Sequence, residues 1–116
     1  THWVIPYAQV SAALAAYRHG DSEIAIDWCD RALMKAHENV WFRNAEALFI
    51  RAMALSQSGD DAGARGEFDR AAAIMTEAKS AMYGPWHEFA ICELLQAETE
   101  QLVRPPIDMP EPDPVE

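Results

Sequence analysis

RHGDSEIAIDWCDRAL (residues 18–33) and QSGDDAGARGEFDRAA (residues 57–72) are the two stretches on which the fold turns. Superposed on their glycines, Gly20 and Gly59, they bring Asp21 onto Asp60, Ala25 onto Ala64, Cys29 onto Phe68 and Ala32 onto Ala71. The order Gly-Asp, small, bulky, small therefore recurs at an offset of 39 residues (20 to 59). A glycine stops one helix, and the Asp or Ser after it caps the next. Residues spaced by four and three lie on one helical face, and the small ones among them let it approach a neighbour closely. Each stretch thus reads as a helix end, a tight turn and a second helix. Upstream, Tyr17 and Leu55 close the preceding helices, which makes the first turn one residue shorter than the second.

Outward from these turns the chain is rich in Ala, Leu, Glu, Met and Arg, with no regular β alternation, so the expected class is all-α. Five helices are predicted. The first spans about 6–19, the second 22–36 and the third 40–58; the fourth opens at Asp60 or Asp61, and the fifth runs 85–103 after a loop around 80–84. Phe89, Ile91, Cys92, Leu94, Leu95 and Leu102 give the fifth helix a broad apolar stripe, so it is expected to be covered on more than one side. Residues 104–116 are a different material. Pro105, Pro106, Pro110, Pro112 and Pro114 alternate with Asp108, Glu111, Asp113 and Glu116, which excludes helix and buried strand and predicts an extended, polyproline-like tail. The division is a helical domain over 1–103 and a Pro-rich acidic tail over 104–116.

A chain of 116 residues is one domain's worth, and at 50% hydrophobic and 24% charged it has the balance of a globular one. Nine Lys and Arg stand against 19 Asp and Glu, a net charge of −10 that repels phosphate backbones and anionic lipid. Neither nucleic acid nor a membrane is an expected partner. Nor does the sequence hold an apolar run of about 18 residues or the opening of a secretory signal. It begins at Thr1, as a segment cut from something longer or a processed product would. Cys29 and Cys92 form no CxxC pair and sit within apolar helical patterns, where they read as small core residues in a reducing cytoplasm.

The repeated pattern resembles the tetratricopeptide repeat, whose 34-residue unit is a pair of antiparallel helices. The second unit carries the resemblance on Leu48, Ala52, Leu55, Gly59, Ala64, Phe68 and Ala71; Arg51 departs from it, in a slot that is normally apolar. The extra residues of the longer offset are expected near 37–42. More narrowly, LAAYRHGDSEIAI, AMALSQSGDDAGAR and WHEFAICELLQAETEQLV, in that order, resemble the repeat tails of planctomycete-type serine/threonine protein kinases. The resemblance implies two helical hairpins plus a C-terminal capping helix in a right-handed solenoid. Its concave groove would take an extended peptide or another domain, as a cytoplasmic scaffold accessory to a signalling protein. By register, Ser11, Ala15 and Arg18 of the first helix and Phe49, Met53, Ser56 and Gln57 of the third would line that groove. The Lys and Asn set with which some relatives clamp a peptide carboxylate is missing from these positions.

Signals for chemistry are weak, and no enzyme, cofactor or metal is expected. There is no Gly-rich loop, HRD or DFG of a kinase. His87-Glu88 starts like the zinc motif HExxH, but Ile91 stands where the second His belongs. Glu93, Glu98 and Glu100 read as a solvated acidic face. Trp3, Trp28, Trp41 and Trp86 cover core edges or anchor an interface. Arg51 either meets a carboxylate such as Asp27 or Glu93 inside the fold or faces the groove, the internal pair being expected. Two units fall short of the roughly three that such arrays need, so a second functional expectation is self-association through an exposed end into a homo-oligomer.

Overall fold

The described residues of the chain form five α-helices: α1 (Val4–Arg18), α2 (Ser22–Met34), α3 (Trp41–Gln57), α4 (Asp61–Ser80) and α5 (Trp86–Val103). The computed structural model describes residues 4–34, 41–81 and 86–103, with side chains from Ala8 onward. Within them there is no strand, and no helix is long and apolar enough to cross a membrane. The tail at 104–116, the connection around His37, most of the loop near 80–84 and Trp3 lie outside the described residues.

The two glycine turns set the architecture. Gly20 and Gly59 adopt φ of 91° and 98°, a left-handed conformation open to glycine at low cost. Around the first, Gly20 N donates to Tyr17 O at 2.9 Å and Asp21 N to Ala16 O at 2.9 Å; around the second, Gly59 N donates to Ser56 O at 3.1 Å and Asp60 N to Leu55 O at 2.8 Å. Both are the paired helix-stop arrangement that satisfies the last carbonyls of a helix. Every bond of the first turn has its counterpart 39 residues on, so the turns are equal in length. The expectation of a shorter first turn is corrected: Ala16, not Tyr17, is the counterpart of Leu55.

Beyond the turns, Ala25 N bonds Asp21 O and Ala64 N bonds Asp60 O, opening α2 and α4. Asp60 also caps α4 through its side chain, which accepts from Gly63 N at 2.9 Å. The repeated small positions are where the helices close on each other: Ala25, Ala64 and Ala71 have no exposed surface and Ala32 has 1%. Between them Cys29 and Phe68 fill the space toward α3.

Helix α3 is the centre. It packs against α1, α2, α4 and α5, whereas α1 and α5 flank it without packing on each other among the described residues. Eleven of its 17 residues are buried, too many for a helix with one solvent face. At its start Trp41 packs on Phe89 of α5, ring centroids 4.6 Å apart.

Of the four tryptophans, Trp41 is core, Trp28 is half-buried beneath Arg31 and Trp86 is exposed. Arg51 takes the internal role but with other partners: its Nε donates to Asp30 Oδ1 at 2.8 Å and its Nη1 to Glu67 Oε2 at 2.6 Å. Asp27 is paired instead with Arg31 and Glu93 with Lys79. Arg51 sits between α2 and α4, each of which packs on α3 and supplies a carboxylate.

Replacing Gly59 by Ala is expected to lower stability by about 1–2 kcal/mol through the left-handed φ alone, since no atom lies within 4 Å of the added Cβ. Gly66→Ala, in open space inside α4, should raise it by about 0.5–1 kcal/mol. Urea unfolding of both variants checks the opposite signs. Ala71→Leu, placed at a closed helix contact, is expected to cost about 1–3 kcal/mol by overpacking, read as a fall in the thermal midpoint.

Candidate functional site

Because the backbones of α1 and α5 flank α3 without packing on each other, they leave a cleft of about 380 Å³. Gln57, at the end of α3, lies 3.5 Å from Tyr17 O at the end of α1, and Glu98 of α5 reaches Arg18 of α1. Toward the other end Glu46 and Glu88, early in α3 and α5, lie close enough to hydrogen-bond. The three helices therefore run in the same direction, and the cleft opens between them.

Its floor is Ile50 and Glu46 from α3. One wall is Val10, Ser11 and Leu14 of α1; the other is Ile91, Leu94 and Leu95 of α5. Much of this surface is apolar, and Leu94 is 72% exposed. An isolated exposed leucine is ordinary, but one set on the rim of an apolar cleft marks a surface suited to a partner.

Charged groups sit at both ends. At one, the Arg18 guanidinium makes a two-pronged pair with Glu98, Nη1 to Oε2 at 2.5 Å and Nη2 to Oε1 at 3.0 Å. The Glu98 hydrogen bond raises the pKa of Arg18 above its ordinary value. The Arg18 side chain is 54% exposed, so the pair contributes at most about 1 kcal/mol and acts more as a strap across the cleft than as a brace for the fold.

The other end is buried. Glu46 is only 5% exposed. Burial first, then the hydrogen bond and charge of Glu88, push its carboxyl pKa up to about 8. At neutral pH the Glu46 carboxyl therefore keeps its proton and donates it to Glu88. Around this pair, the Cys92 thiol lies 3.6 Å from Phe42 O and 4.0 Å from Glu46 Oε2, and His87 Nε2 is 3.6 Å from Glu88 Oε2.

Both cysteines are buried free thiols whose pKa values are raised by burial, that of Cys29 to about 12, so they hold their protons and are not poised as nucleophiles. Among the described residues no group of three or more His, Cys, Asp or Glu side chains is placed to hold a metal ion. Chemically, the cleft offers apolar contact along its length and carboxyl groups that accept a hydrogen bond or a cation.

Of the residues that the register placed in a groove, Ser11 and Arg18 line this cleft. Ala15 is exposed on α1 but is not part of the lining. Phe49 and Met53 are corrected: both are fully buried and neither lines the cleft, and Phe49 turns toward α4, its ring centroid 5.8 Å from that of Phe68. Ser56 is half-buried, and Gln57 is exposed at the end of α3. The face that α3 turns to the cleft carries Glu46 and Ile50, which the sequence reading missed, as it did Glu88 and the α5 wall. The signal available for α5 was its apolar stripe, too broad for a helix with a single covered face.

Compared with protein-family models, with curated proteins and with solved structures, the chain gives no significant match.

The raised pKa of Glu46 makes a prediction about stability. The unfolded chain releases this proton near the ordinary 4.5 and the folded chain only near 8, so stability is lost as pH rises between those values. Glu46→Gln keeps a donor for Glu88 without a proton to lose. Relative to the parent chain it is expected to be similarly stable near pH 4.5 and more stable, by on the order of 4 kcal/mol, at pH 8. Thermal melts of both proteins across that range provide the check.

Proposed function

We propose that this chain is a non-catalytic, tetratricopeptide-like interaction module, a short solenoid of two helical hairpins and a capping helix. It serves as an accessory segment of a larger signalling protein and takes an extended peptide or another domain in the cleft over α3. The observation that carries this reading is the helix-stop turn repeated bond for bond at Gly20 and Gly59. Two copies of one turn bring successive first helices side by side, and the cleft lies between the first helices α1, α3 and α5. Its apolar walls and polar ends suit a peptide laid along it. The two buried thiols fit a reducing compartment such as the cytoplasm.

A second reading, self-association, is favoured by one observation: Trp86, Ile91, Leu94 and Leu102 are all exposed on α5. An apolar set on the last helix is what an exposed repeat end would present to another copy.

Selection of a phage-displayed random dodecapeptide library on the purified chain tests the first reading. Enriched peptides are expected to bind saturably and to lose at least tenfold in affinity with Leu94→Ser, a change on an exposed side chain. Absence of enrichment, or binding indifferent to that change, overturns it. Light scattering over a hundredfold range of concentration tests the second, for which the mass should double and Leu94→Ser should abolish the doubling.

A further inference from the structure

The cleft is apolar along its walls but unbalanced in charge. Its lining holds three acidic side chains, Glu46, Glu88 and Glu98, and one basic one, Arg18, which is already engaged by Glu98 through both of its outer nitrogens. An acidic or phosphorylated segment would meet no free cation in this lining and would have to bring its charge beside carboxylates, in a chain of net charge −10. A wholly apolar segment would cover the walls but make no use of the excess acidic charge of the lining.

We infer that the occupant of the cleft is an apolar peptide segment carrying one basic side chain, Lys or Arg, whose cation is received between the Glu46 and Glu88 carboxyl groups. The inference rests on the reading of the cleft as a peptide site and adds the chemistry of the ligand.

Geometry supports it. Glu46 and Glu88 come from different helices, meet at one end of the cleft and are directed at one another, so a single cation placed there reaches both. Without an occupant, two carboxyl groups this close cannot both be ionised, and Glu46 keeps a proton between them. An incoming ammonium or guanidinium takes the place of the Glu46 proton, which is released to solvent, and the two carboxylates then both accept charge-assisted hydrogen bonds from it. The stem of a Lys or Arg is itself apolar and fits against Val10 and Ile91 as the charged head passes inward. At the other end, the Arg18–Glu98 strap presents a neutralised pair that neither attracts nor repels the rest of the segment. The long-range field of an acidic chain also favours encounter with a basic segment.

The same dodecapeptide library provides the test. Sequences enriched at pH 7 are expected to carry a Lys or Arg flanked by Leu, Ile, Met or Phe. Replacing that basic residue by norleucine in the synthesised peptide should weaken binding at least tenfold. Glu88→Gln should weaken the basic peptide at least tenfold while leaving the norleucine peptide within twofold, whereas Leu94→Ser should weaken both alike. Should Glu88→Gln fail to fold, Glu98→Gln, at the more exposed end, takes its place: it frees the Arg18 cation and should weaken the basic peptide alone, by threefold or more. Enriched peptides that are sensitive to Leu94→Ser but lack a basic residue, or a carboxyl variant that weakens both peptides equally, overturn this inference and leave the peptide-site reading standing. If no peptide is enriched, both fall.

Discussion

Helix α3 has neighbours on four sides, and a helix so placed must bury polar side chains along with apolar ones. Its alanines at 45, 47, 52 and 54, each buried, let the surrounding helices come close, and Leu48, Phe49, Ile50 and Met53 fill what is left. That arrangement leaves little room for error in polar groups, since an unpaired charge in such a place is severely destabilising. Arg51 meets the constraint with one carboxylate from α2 and another from α4. Glu46 meets it differently, by keeping its proton and sharing it with Glu88.

These two solutions lie on opposite faces of α3 and give the molecule two unlike sides. Where α2 and α4 pack on it, charge is balanced around Arg51, with Arg70 adding a further pair to Glu67. Where α1 and α5 stand apart, the surface is concave, apolar along its walls and acidic at its buried end. The cleft follows from helix order: α1 and α5 both need α3 to cover their apolar stripes, and α3 is wide enough to hold them side by side without their backbones packing on each other. The strap from Arg18 to Glu98 then crosses an opening that the backbone does not close.

Much of the fold was legible because its determinants are local. A glycine that must adopt positive φ, an Asp or Ser able to cap, and a small, bulky, small pattern at steps of four and three are properties of a few adjacent positions, and the structure carries the turns with the same backbone hydrogen bonds in both copies. The one-residue error in aligning Tyr17 with Leu55 came from matching side chains by size. The turn instead matches backbone positions, and there the counterpart of Leu55 is the smaller Ala16.

The cleft was legible only in part, for a physical reason. A central helix has no polar face to orient it, so periodicity does not reveal which of its apolar sides meets a groove; Phe49 and Met53 turn toward the core, and Glu46 and Ile50 turn toward the opening. That Arg51 would be paired follows from its charge in an apolar slot, but Asp30 and Glu67 as its partners follow from how two other helices cross it. The sequence by itself determined five helices, two equivalent turns and the small residues at their contacts, because short-range sterics and capping act within a few residues. Only the tertiary structure decided that Glu46 and Glu88, 42 positions apart (46 to 88), share a buried end of one cleft, because their meeting depends on the packing of α5 against α3.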